Sequence, residues 1–597
     1  MNIFKKILYL LTPHERRLAW LLLILIIIMA FLEMIGVASI LPFVSVLTNP
    51  SLIDTNFALN KIFQVSSIFG VENNQQFLFG LGVLVFILLV TSITFKALTT
   101  YAQIRFVQML QYNISKRLME RYLSQPYSWF LSRNSADFSR TILSETGIVI
   151  GNGVSALINL VAKSMVAIAL LALLIVANLK IALIVGFSLS ISYLLIYKFT
   201  SNYVKRMGEE RFKKELLLFK SISEAFGAVK EIKTGGLEQI YIKRFSDPAR
   251  TIAKNLASSS VVQQFPRFVL EAVAFGGIIL LILFQMMQTG SFNNALPVIT
   301  LYVFAGYRLM PALQEIYGVF SKFNFITPSV DKIHNDFENL KILNSNNKQG
   351  VISINKTINL KNIYYNYPNA SREALKNISL SIPVNTTVGL IGATGSGKTT
   401  TVDIILGLLE AQKGTLEIDE IIITKQNSRA WQRTIGYVPQ YIYLSDDTLS
   451  ANIAFGVEPK DINQEAVERA SKIANLHEFV MDELPKQYQT EVGERGIRLS
   501  GGQRQRIGIA RALYHDPQVL ILDEATNALD NITEKAVMDA VNNLSKHITI
   551  ILIAHRLNTV KKCDKIYLLE KGEIKNEGTF EELIKVNENF RISANNQ

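Results

Sequence analysis

The sequence predicts two joined parts, an α-helical transmembrane domain with six spans and then an α/β domain built around a phosphate-binding loop. Apolar residues make up 49% of the 597 residues and charged residues only 18%, which is a low charge content for a soluble protein. The charge-poor runs all lie before about residue 325, and a glycine-rich loop with a lysine follows an apolar strand near residue 390. Because a chain of this length exceeds a single core, the change in composition marks a boundary between a membrane half and a soluble half.

Six apolar runs have the length of about twenty residues that a bilayer crossing requires. They cover residues 18–47, 77–99, 148–178, 181–200, 265–288 and 295–320. Glu33 and Pro42 interrupt the first run, and Arg308 and Pro311 interrupt the last, so these two assignments depend on the surrounding pattern. Residues 1–17 are basic and amphipathic, which predicts an interfacial elbow helix before the first span.

Basic residues orient the predicted spans. Residues 105–145 carry six Lys or Arg and residues 198–259 carry thirteen, whereas residues 48–76 hold only Lys61. Because basic loops stay on the cytoplasmic side, both termini and the C-terminal domain are expected in the cytoplasm. Helical periodicity in the two basic connections predicts that spans two to five continue as helices beyond the bilayer.

The predicted domains are an elbow helix at 1–17, a membrane domain at 18–325, a linker at 326–350 and a nucleotide-binding domain at 351–590. The net charge of +12 does not indicate a nucleic-acid partner. Much of the basic excess flanks the apolar runs, where it can face anionic lipid headgroups.

The phosphate-binding loop lies in residues 386–400, which read TTVGLIGATGSGKTT. An apolar strand precedes the loop and a helix follows it, so successive backbone N–H groups and the helix N-terminus can surround a phosphate. Lys398 is expected to reach the β- and γ-phosphates, and Thr399 to bind Mg²⁺. The predicted ATP-binding residues of this loop are Gly392, Ala393, Thr394, Gly395, Ser396, Gly397, Lys398, Thr399 and Thr400.

Two carboxylates end a second buried strand, in the stretch VLILDE that begins at Val519. Asp523 suits the coordination shell of Mg²⁺, and Glu524 suits the polarisation of the water that attacks a γ-phosphate. In isolation, acidic residues at the end of a strand often have no catalytic role. Following a phosphate-binding loop, they predict hydrolysis of a nucleoside triphosphate.

The stretch LSGGQ at 499–503, followed by RQRIGIARAL, resembles the ABC transporter family, and the match extends to exporter-type half-transporters. The resemblance implies that this segment contacts the γ-phosphate of ATP held by another subunit. It implies a stacking role on adenine for Tyr367, contacts to Mg²⁺ and water for Gln440, and γ-phosphate sensing for His555. The further ATP-binding residues that the resemblance implies, at the contact between the two subunits, are Ser500, Gly501, Gly502, Gln503 and Asp530.

The same resemblance implies a type IV exporter-like, domain-swapped membrane domain and an α/β P-loop ABC ATPase domain, with ATP and Mg²⁺ as cofactors. Segments 121–146 and 224–245 resemble those that hold coupling helices, and Glu494 a residue that touches the membrane domain. Asn527 stands where serine is more usual. Because Glu524 and the LSGGQ segment are both intact, a homodimer is favoured, and a heterodimer with a related chain is left open.

Charged residues inside membrane spans are costly and are candidates for a functional site. The candidates are Glu33, Lys96, Lys163, Arg267, Glu271 and Arg308. Ion pairing between helices, or extension toward the headgroups, is the alternative for several of them. An arginine suits a phosphate or pyrophosphate because its fork donates two parallel hydrogen bonds.

Three membrane stretches, FLEMIGVASILPFVSVL, FPRFVLEAVAFGG and AGYRLMP, resemble the bacterial lipid-linked oligosaccharide flippases of the PglK type. The resemblance implies a polyprenyl-diphosphate-linked glycan as substrate in the bacterial inner membrane, with Lys96, Arg267 and Arg308 facing its pyrophosphate. Glu315 departs from the pattern, since these flippases tend to have a basic residue there. Glu315 would fit either an ion pair with a basic neighbour in this chain or a substrate with a different headgroup.

Three other classes of function share part of these sequence features. An exporter of lipid A, another glycolipid, a peptide or a drug would have the same ATPase motifs. An ATP-gated channel or regulator would be expected to have a polar pore lining, and the predicted spans have few polar positions. A soluble ABC ATPase of DNA repair or translation is inconsistent with six spans.

Overall fold

The computed structural model describes residues 3–50, 52–66, 71, 73–177, 179–289, 292–340, 350–368, 370, 372–493, 496, 499–525, 531–544, 547–554 and 556–595. The chain divides into two compact units. The first is Met1–Gln125 with Arg133–Leu343, and the second is Pro126–Ser132 with Asn344–Gln597.

The first unit is helical throughout its described residues. Helices in the first 339 residues are α1 Ile3–Tyr9, α2 Pro13–Ala38, α3 Ile40–Thr48, α4 Leu52–Thr55, α5 Phe57–Ser66, α6 Asn74–Leu123, α7 Tyr127–Leu131, α8 Ser135–Arg140, α9 Thr146–Val149, α10 Ser155–Ala177, α11 Leu179–Gly227, α12 Val229–Gly235, α13 Glu238–Thr289 and α14 Phe292–Asn339. Short π-helical turns at Thr141–Glu145 and Ile150–Val154 join α8, α9 and α10. The short helix α7 belongs to the second unit by its contacts.

The N-terminal elbow is shorter than the sequence analysis predicted. It ends at Tyr9, and α2 begins at Pro13. The Thr12 hydroxyl accepts a hydrogen bond from the Glu15 N–H at 3.3 Å, and the Glu15 carboxylate accepts one from the Thr12 N–H at 2.8 Å. This reciprocal cap, with proline in the first turn, starts a helix, so residues 13–17 belong to the first long helix.

Three helical segments are long and apolar enough to cross a membrane among the described residues, at Pro13–Thr48, Asn74–Leu123 and Ser135–Val176. The other three predicted spans lie on α11, α13 and α14, where many apolar side chains lie outside the described residues. These three helices and α6 contain 48 to 52 residues each. At about 1.5 Å per residue each is roughly 70–80 Å long, far more than the bilayer core of about 30 Å.

Helix α14 runs to Asn339, so the first part of the predicted linker at 326–350 is helical instead. Its apolar residues recur at helical spacing and are buried, which anchors the end of the helix in the first unit. They are Ile326, Val330, Ile333 and Phe337. Lys6 on α1 also pairs with Asp331 at 2.6 Å.

A group of four charged residues, three of them buried, joins α8, α11 and the π-helical turn between α8 and α9. This four-residue cluster consists of Arg140, Glu145, Arg211 and Glu215. Arg211 Nη2 lies 2.9 Å from Glu145 Oε2, and Arg140 Nη1 lies 3.5 Å from Glu145 Oε1. Arg211 also pairs with Glu215 and donates to the Ser329 hydroxyl of α14, so the cluster connects three long segments of the unit.

The second unit contains two sheets. The strands are β1 Thr357–Tyr365, β2 Leu375–Pro383, β3 Thr387–Ile391, β4 Lys413–Ile418, β5 Ile421–Ile422, β6 Ile435–Val438, β7 Val519–Asp523, β8 Thr549–Ile553, β9 Lys565–Glu570 and β10 Glu573–Gly578. An antiparallel sheet has the order β2-β1-β4-β5, and a second sheet has the order β10-β9-β3-β8-β7-β6. In the second sheet only the β9–β10 pair is antiparallel.

The helices of this unit, after α7, are α15 Lys398–Ile405, α16 Ser428–Gln432, α17 Leu449–Ile453, α18 Gln464–Ile473, α19 His477–Glu483, α20 Gly501–Leu513, α21 Asn531–Leu544, α22 Leu557–Val560, α23 Phe580–Val586 and α24 Glu588–Asn595. The strands β3, β7 and β8 are buried along their whole length. Because they are parallel neighbours, the loops after them meet at one edge of the sheet. The phosphate-binding loop and the two carboxylates follow β3 and β7, so the topology brings them together.

Candidate functional site

The loop after β3 has a backbone that requires glycine at two points. Gly392 has φ +149°, and a Cβ there would lie 2.2 Å from the Leu569 carbonyl oxygen. Gly397 has φ +105° and precedes α15, and a Cβ there would lie 2.7 Å from the Leu375 side chain. Glycine at both ends therefore lets the loop pack closely on its neighbours in a left-handed backbone conformation. The residues between the two glycines are Ala393, Thr394, Gly395 and Ser396.

Lys398 lies over this loop. Its Nζ donates to the carbonyl oxygens of Gly392 at 2.8 Å and Ala393 at 3.2 Å. Burial lowers the pKa of Lys398, while the nearby charges of Glu524 and Asp523 act in the opposite direction. The ammonium group therefore lies at the loop and is bound to neutral carbonyl oxygens, which an anionic phosphate can replace as its partner.

Two hydroxyl groups complete the loop. The Ser396 hydroxyl is buried and has no hydrogen-bond partner within the described part of the chain. Because a buried polar group normally finds a partner, this position fits a ligand oxygen. Thr399 is exposed in the first turn of α15, where its hydroxyl is open to solvent.

Glu524 follows β7 in a conformation that non-glycine residues rarely adopt. Its φ is +51°, and its N–H donates to the Ile553 carbonyl of β8 at 3.0 Å. Such strain is often found where a side chain must be aimed at a reaction. Gln440, for which the sequence predicted contacts to Mg²⁺ and water, donates from Nε2 to Glu524 Oε2 at 2.7 Å.

Asp523 ends β7 beside Gln440 and Glu524. The Tyr437 hydroxyl on β6 donates to Asp523 Oδ2 at 3.4 Å. No group of three His, Cys, Asp or Glu in the described ranges is arranged for a metal ion. The donors here are instead a carboxylate (Asp523), an amide (Gln440) and a hydroxyl (Thr399), which are the hard oxygen ligands that suit Mg²⁺ together with water and phosphate oxygens.

Tyr367 lies at the loop, half-buried, with its hydroxyl 3.1 Å from the Thr400 hydroxyl of α15. Its ring packs edge-to-face on Tyr365 at 5.1 Å. Burial raises the pKa of the Tyr367 phenol. The structure therefore connects this aromatic ring directly to the helix that begins at the phosphate-binding loop.

Asp403, five residues after Lys398 on α15, was missed by the sequence analysis. It is buried, and burial and then the charge of Asp523 raise its pKa to about 6. Tyr127 of α7 lies near enough for Asp403 and Tyr367 to contribute to the raised pKa of its phenol, after burial. No motif marks Asp403; the only signal in the sequence is a carboxylate on the buried side of a helix.

The LSGGQ segment begins α20. The Ser500 hydroxyl accepts from the Gln503 N–H at 3.2 Å, and the Gln503 side chain accepts from the Ser500 N–H at 2.7 Å. Gly501 and Gly502 form the first turn. The helix N-terminus predicted from the sequence is present, and its cap uses both polar side chains of the motif. Four other positions singled out by the sequence lie outside the described residues: Glu494, Asn527, Asp530 and His555.

In the first unit, three of the predicted membrane charges meet. Glu33 Oε1 lies 2.6 Å from Lys96 Nζ and 3.2 Å from Arg308 Nη1. We call Glu33, Lys96 and Arg308 the membrane triad. Lys163 lies within electrostatic range of Lys96, Glu33 and Glu315, so the surroundings of the triad add one cation and one carboxylate to its two cations and one anion.

Arg267, expected in the same site, pairs instead with Glu271 on its own helix, with Nε to Oε1 at 2.7 Å. Its side chain is 58% exposed in the single chain. Glu315 lies 3.4 Å from Lys322 Nζ and 3.4 Å from Asn159 Nδ2. The internal pair is therefore the alternative that the structure favours for Glu315.

Residues 375–527 match the model of the ABC transporter family. The heterocyst differentiation ATP-binding protein HepA of Nostoc sp. is 34% identical over 312 residues, which are 52% of this chain and 51% of that protein. The chain therefore spans about half the length of this relative.

Two ATP-dependent lipid A-core flippases, from Saccharophagus degradans and Pasteurella multocida, are 29% and 28% identical to this chain. Each alignment covers 79% of this chain, and 79% and 81% of the respective flippase. A solved bacterial Atm1-family ABC exporter with ATP bound is similar in fold, with a TM-score of 0.79, 20% identity and coverage of 98% of both chains.

Proposed function

Because this chain is an ABC half-transporter, with a helical membrane domain of the type IV exporter fold joined to an ATP-hydrolysing domain, we propose that it exports a phosphorylated, lipid-linked amphiphile across the bacterial inner membrane. The predicted fold class and ATPase activity are confirmed by the family match and the relatives. The observation that carries the proposal is the surplus positive charge of the membrane triad on helices that belong to an ATP-driven exporter fold.

Hydrolysis is assigned to the residues that meet at the edge of the parallel sheet. Glu524 orients and polarises the attacking water, and Gln440, bonded to it at 2.7 Å, holds the carboxylate in place. Lys398 leaves the loop carbonyls for the phosphates. Mg²⁺, when bound through Thr399, Gln440 and Asp523, would neutralise phosphate charge.

The second half of each ATP site is assigned to another copy of the chain. Ser500, Gly502 and the N-terminus of α20 form an anion site of hydroxyl and backbone N–H groups, and we assign this site to the γ-phosphate of ATP held by the partner subunit. We propose a homodimer, since one chain supplies both the carboxylate and the LSGGQ segment. His555 and Asp530 keep their proposed roles as γ-phosphate sensor and dimer contact.

The substrate class follows from the charges in the membrane unit. Lys96 and Arg308 carry two positive charges against one on Glu33, and both retain exposed surface, 42% and 20%. An excess of cations inside a bilayer is costly, and a phosphate or diphosphate headgroup compensates it through charge-assisted hydrogen bonds. A polyprenyl-diphosphate-linked oligosaccharide is the first candidate.

Lipid A is the second candidate, because flippases of lipid A-core are among the relatives that cover about four-fifths of the chain. It is also a phosphorylated glycolipid, so the triad suits both. The two candidates differ in the number of acyl or prenyl chains and in the sugar, and neither difference is encoded in the charges of the triad.

The test uses the purified full chain reconstituted in liposomes with either a fluorescent polyprenyl-diphosphate oligosaccharide or fluorescent lipid A. ATP-dependent movement across the bilayer is measured for the wild type, Glu524→Gln and Arg308→Ala. We expect Glu524→Gln to hydrolyse ATP at least about a hundredfold more slowly, the scale of losing a catalytic base. Glu573→Gln, an exposed carboxylate on β10, is the matched control.

Movement of one lipid by the wild type, lost in both variants, supports the proposal and identifies which of the two glycolipids is carried. ATP hydrolysis without movement of either lipid would overturn the phosphorylated-glycolipid assignment and leave a peptide or drug exporter. Near-normal hydrolysis by Glu524→Gln would overturn the role given to that carboxylate.

A further inference from the structure

Glu33 is the centre of the membrane triad, because both cations of the triad pair with it. Its carboxylate is 3% exposed, and one oxygen, Oε1, accepts a hydrogen bond from Lys96 at 2.6 Å and lies 3.2 Å from Arg308 Nη1. These partners come from α6 and α14, so Glu33 joins three membrane helices. The helices around it are lined by buried apolar residues: Met29, Ala30, Val37, Ala305, Leu309 and Ala312.

The membrane triad has more positive than negative charge. Glu33 neutralises one of the two cations, and the triad keeps a net charge of one positive unit. A guanidinium has five N–H donors and an ammonium has three, more than the single oxygen Oε1 of Glu33 can occupy. Lys96 and Arg308 therefore keep donor capacity for a ligand, on side chains that are 42% and 20% exposed.

We infer that Glu33 is a specificity-determining residue, an internal anion that holds Lys96 and Arg308 in place and limits how tightly they bind a phosphorylated headgroup. This inference rests on the proposed function, because it takes Lys96 and Arg308 as the groups that face the phosphate. Glu33 and the headgroup compete for the same two cations. An arriving phosphate gains less than it would from two unpaired cations, and a departing phosphate is replaced by a carboxylate that is already present.

The physical basis is the low polarity around the triad. Charge interactions are several times stronger in such surroundings than in water, so two cations without a nearby anion would hold a diphosphate strongly. A transporter must also release its cargo. The built-in carboxylate lowers the net charge of the site without removing either of the hydrogen-bond donors that recognise the headgroup.

The test measures equilibrium binding of two fluorescent probes, a polyprenyl diphosphate and the corresponding neutral polyprenol, to the purified full chain. Replacing the carboxylate by an amide, Glu33→Gln, is expected to lower the Kd for the diphosphate about tenfold, the scale of one charge-assisted hydrogen bond, and to leave the polyprenol unchanged. The double variant Glu33→Gln with Lys96→Gln restores the net charge and is expected to return the Kd toward the wild-type value.

Two variants serve as controls. Glu120→Gln removes a carboxylate from α6 that faces Lys116 and is 53% exposed, so it changes the net charge of the protein without touching the triad, and its Kd should equal that of the wild type. Glu33→Asp keeps the charge and shortens the side chain. If Glu33→Gln does not fold, wild-type affinity in both Glu33→Asp and the double variant supports the inference, and tenfold tighter binding in either one overturns it.

The outcomes separate the two claims. Equal affinity of the wild type for both probes would overturn the proposed phosphorylated substrate, and the inference with it. A wild type that prefers the diphosphate, together with unchanged or weaker binding in Glu33→Gln, would overturn the inference alone. Tighter diphosphate binding in both Glu33→Gln and Glu120→Gln would attribute the effect to overall charge and would also overturn it.

Discussion

The first unit contains two ionic clusters, and they differ in balance and in access. The four-residue cluster of Arg140, Glu145, Arg211 and Glu215 has two charges of each sign. Arg140 and Arg211 are 2% exposed and Glu145 is fully buried. The membrane triad has two cations for one anion, and Lys96 is 42% exposed.

The difference separates a structural cluster from a candidate binding site. In the four-residue cluster the arginines also reach neutral groups, since Arg140 donates to the Phe212 carbonyl at 2.8 Å and Arg211 to the Ser329 hydroxyl at 2.7 Å. Gly208, one turn before Arg211, allows α14 to come close, because a Cβ there would lie 2.1 Å from the Phe325 carbonyl. The four-residue cluster has balanced charge and little contact with solvent, whereas the triad has surplus positive charge and exposed cations.

The largest effect is expected from breaking the four-residue cluster. Glu145→Gln leaves two buried guanidinium groups with one carboxylate fewer, which lowers the free energy of unfolding by about 3–5 kcal/mol. The midpoint of thermal unfolding of the detergent-purified protein checks this. The exposed Glu120→Gln is the control.

The same cluster tolerates a paired replacement better than a single one. With Glu145→Met and Arg211→Met together, both members of the fully buried Arg211–Glu145 pair become apolar, so the midpoint should lie above that of Glu145→Gln. A double variant less stable than the single one would indicate that the arginine has a role beyond neutralising Glu145.

The next largest effect is expected in the membrane triad, where a substitution should change substrate stimulation more than stability. Arg308→Gln removes a charged donor that we assign to the phosphate, worth about 1.5–3 kcal/mol. The lipid concentration that half-maximally stimulates ATP hydrolysis should rise about ten- to hundredfold. Thermal unfolding should change less than in Glu145→Gln, because Glu33 keeps Lys96 as a partner. A large loss of stability with unchanged stimulation would make the triad a second structural cluster.

A buried carboxylate in the other unit extends the comparison to pH. Burial and Asp523 raise the pKa of Asp403 from 3.8 to about 6, so the folded state favours the protonated form. Its contribution is complete below about pH 4 and is lost as the pH rises through about 6. Asp403→Asn should therefore gain stability relative to the wild type by roughly 2 kcal/mol at neutral pH compared with pH 4, measured by thermal unfolding at both values. An identical pH dependence in the two proteins would contradict this.

The smallest effect is expected at Arg267, which lies outside both clusters. Its partner Glu271 is on the same helix and the pair is partly exposed, and such pairs contribute about 1 kcal/mol or less. Arg267→Gln should change half-maximal lipid stimulation by less than about fivefold. A change as large as that of Arg308→Gln would place Arg267 in the substrate site, as the sequence analysis expected.

Much of the ATP site could be predicted from the sequence because its parts are contiguous. The loop after β3 needs glycine where the backbone is left-handed or crowded, as at Gly392 and Gly397, and lysine and threonine follow within two residues. These requirements are local, so they appear as a pattern of letters. The start of α2 could also have been predicted from the sequence. Thr12 and Glu15 form a capping box and Pro13 occupies the first turn, a local pattern that the sequence analysis did not use.

The sequence by itself determined the fold class, the position of the phosphate-binding loop and the charges that lie within membrane spans. Only the tertiary structure decided which of those charges meet. Glu33, Lys96 and Arg308 come from α2, α6 and α14, and Arg267 has the same chemistry but a different partner. In a membrane helix the faces toward lipid and toward other helices are both apolar, so hydrophobic periodicity does not show which face is inside, and ion pairs between helices depend on packing that no single segment encodes.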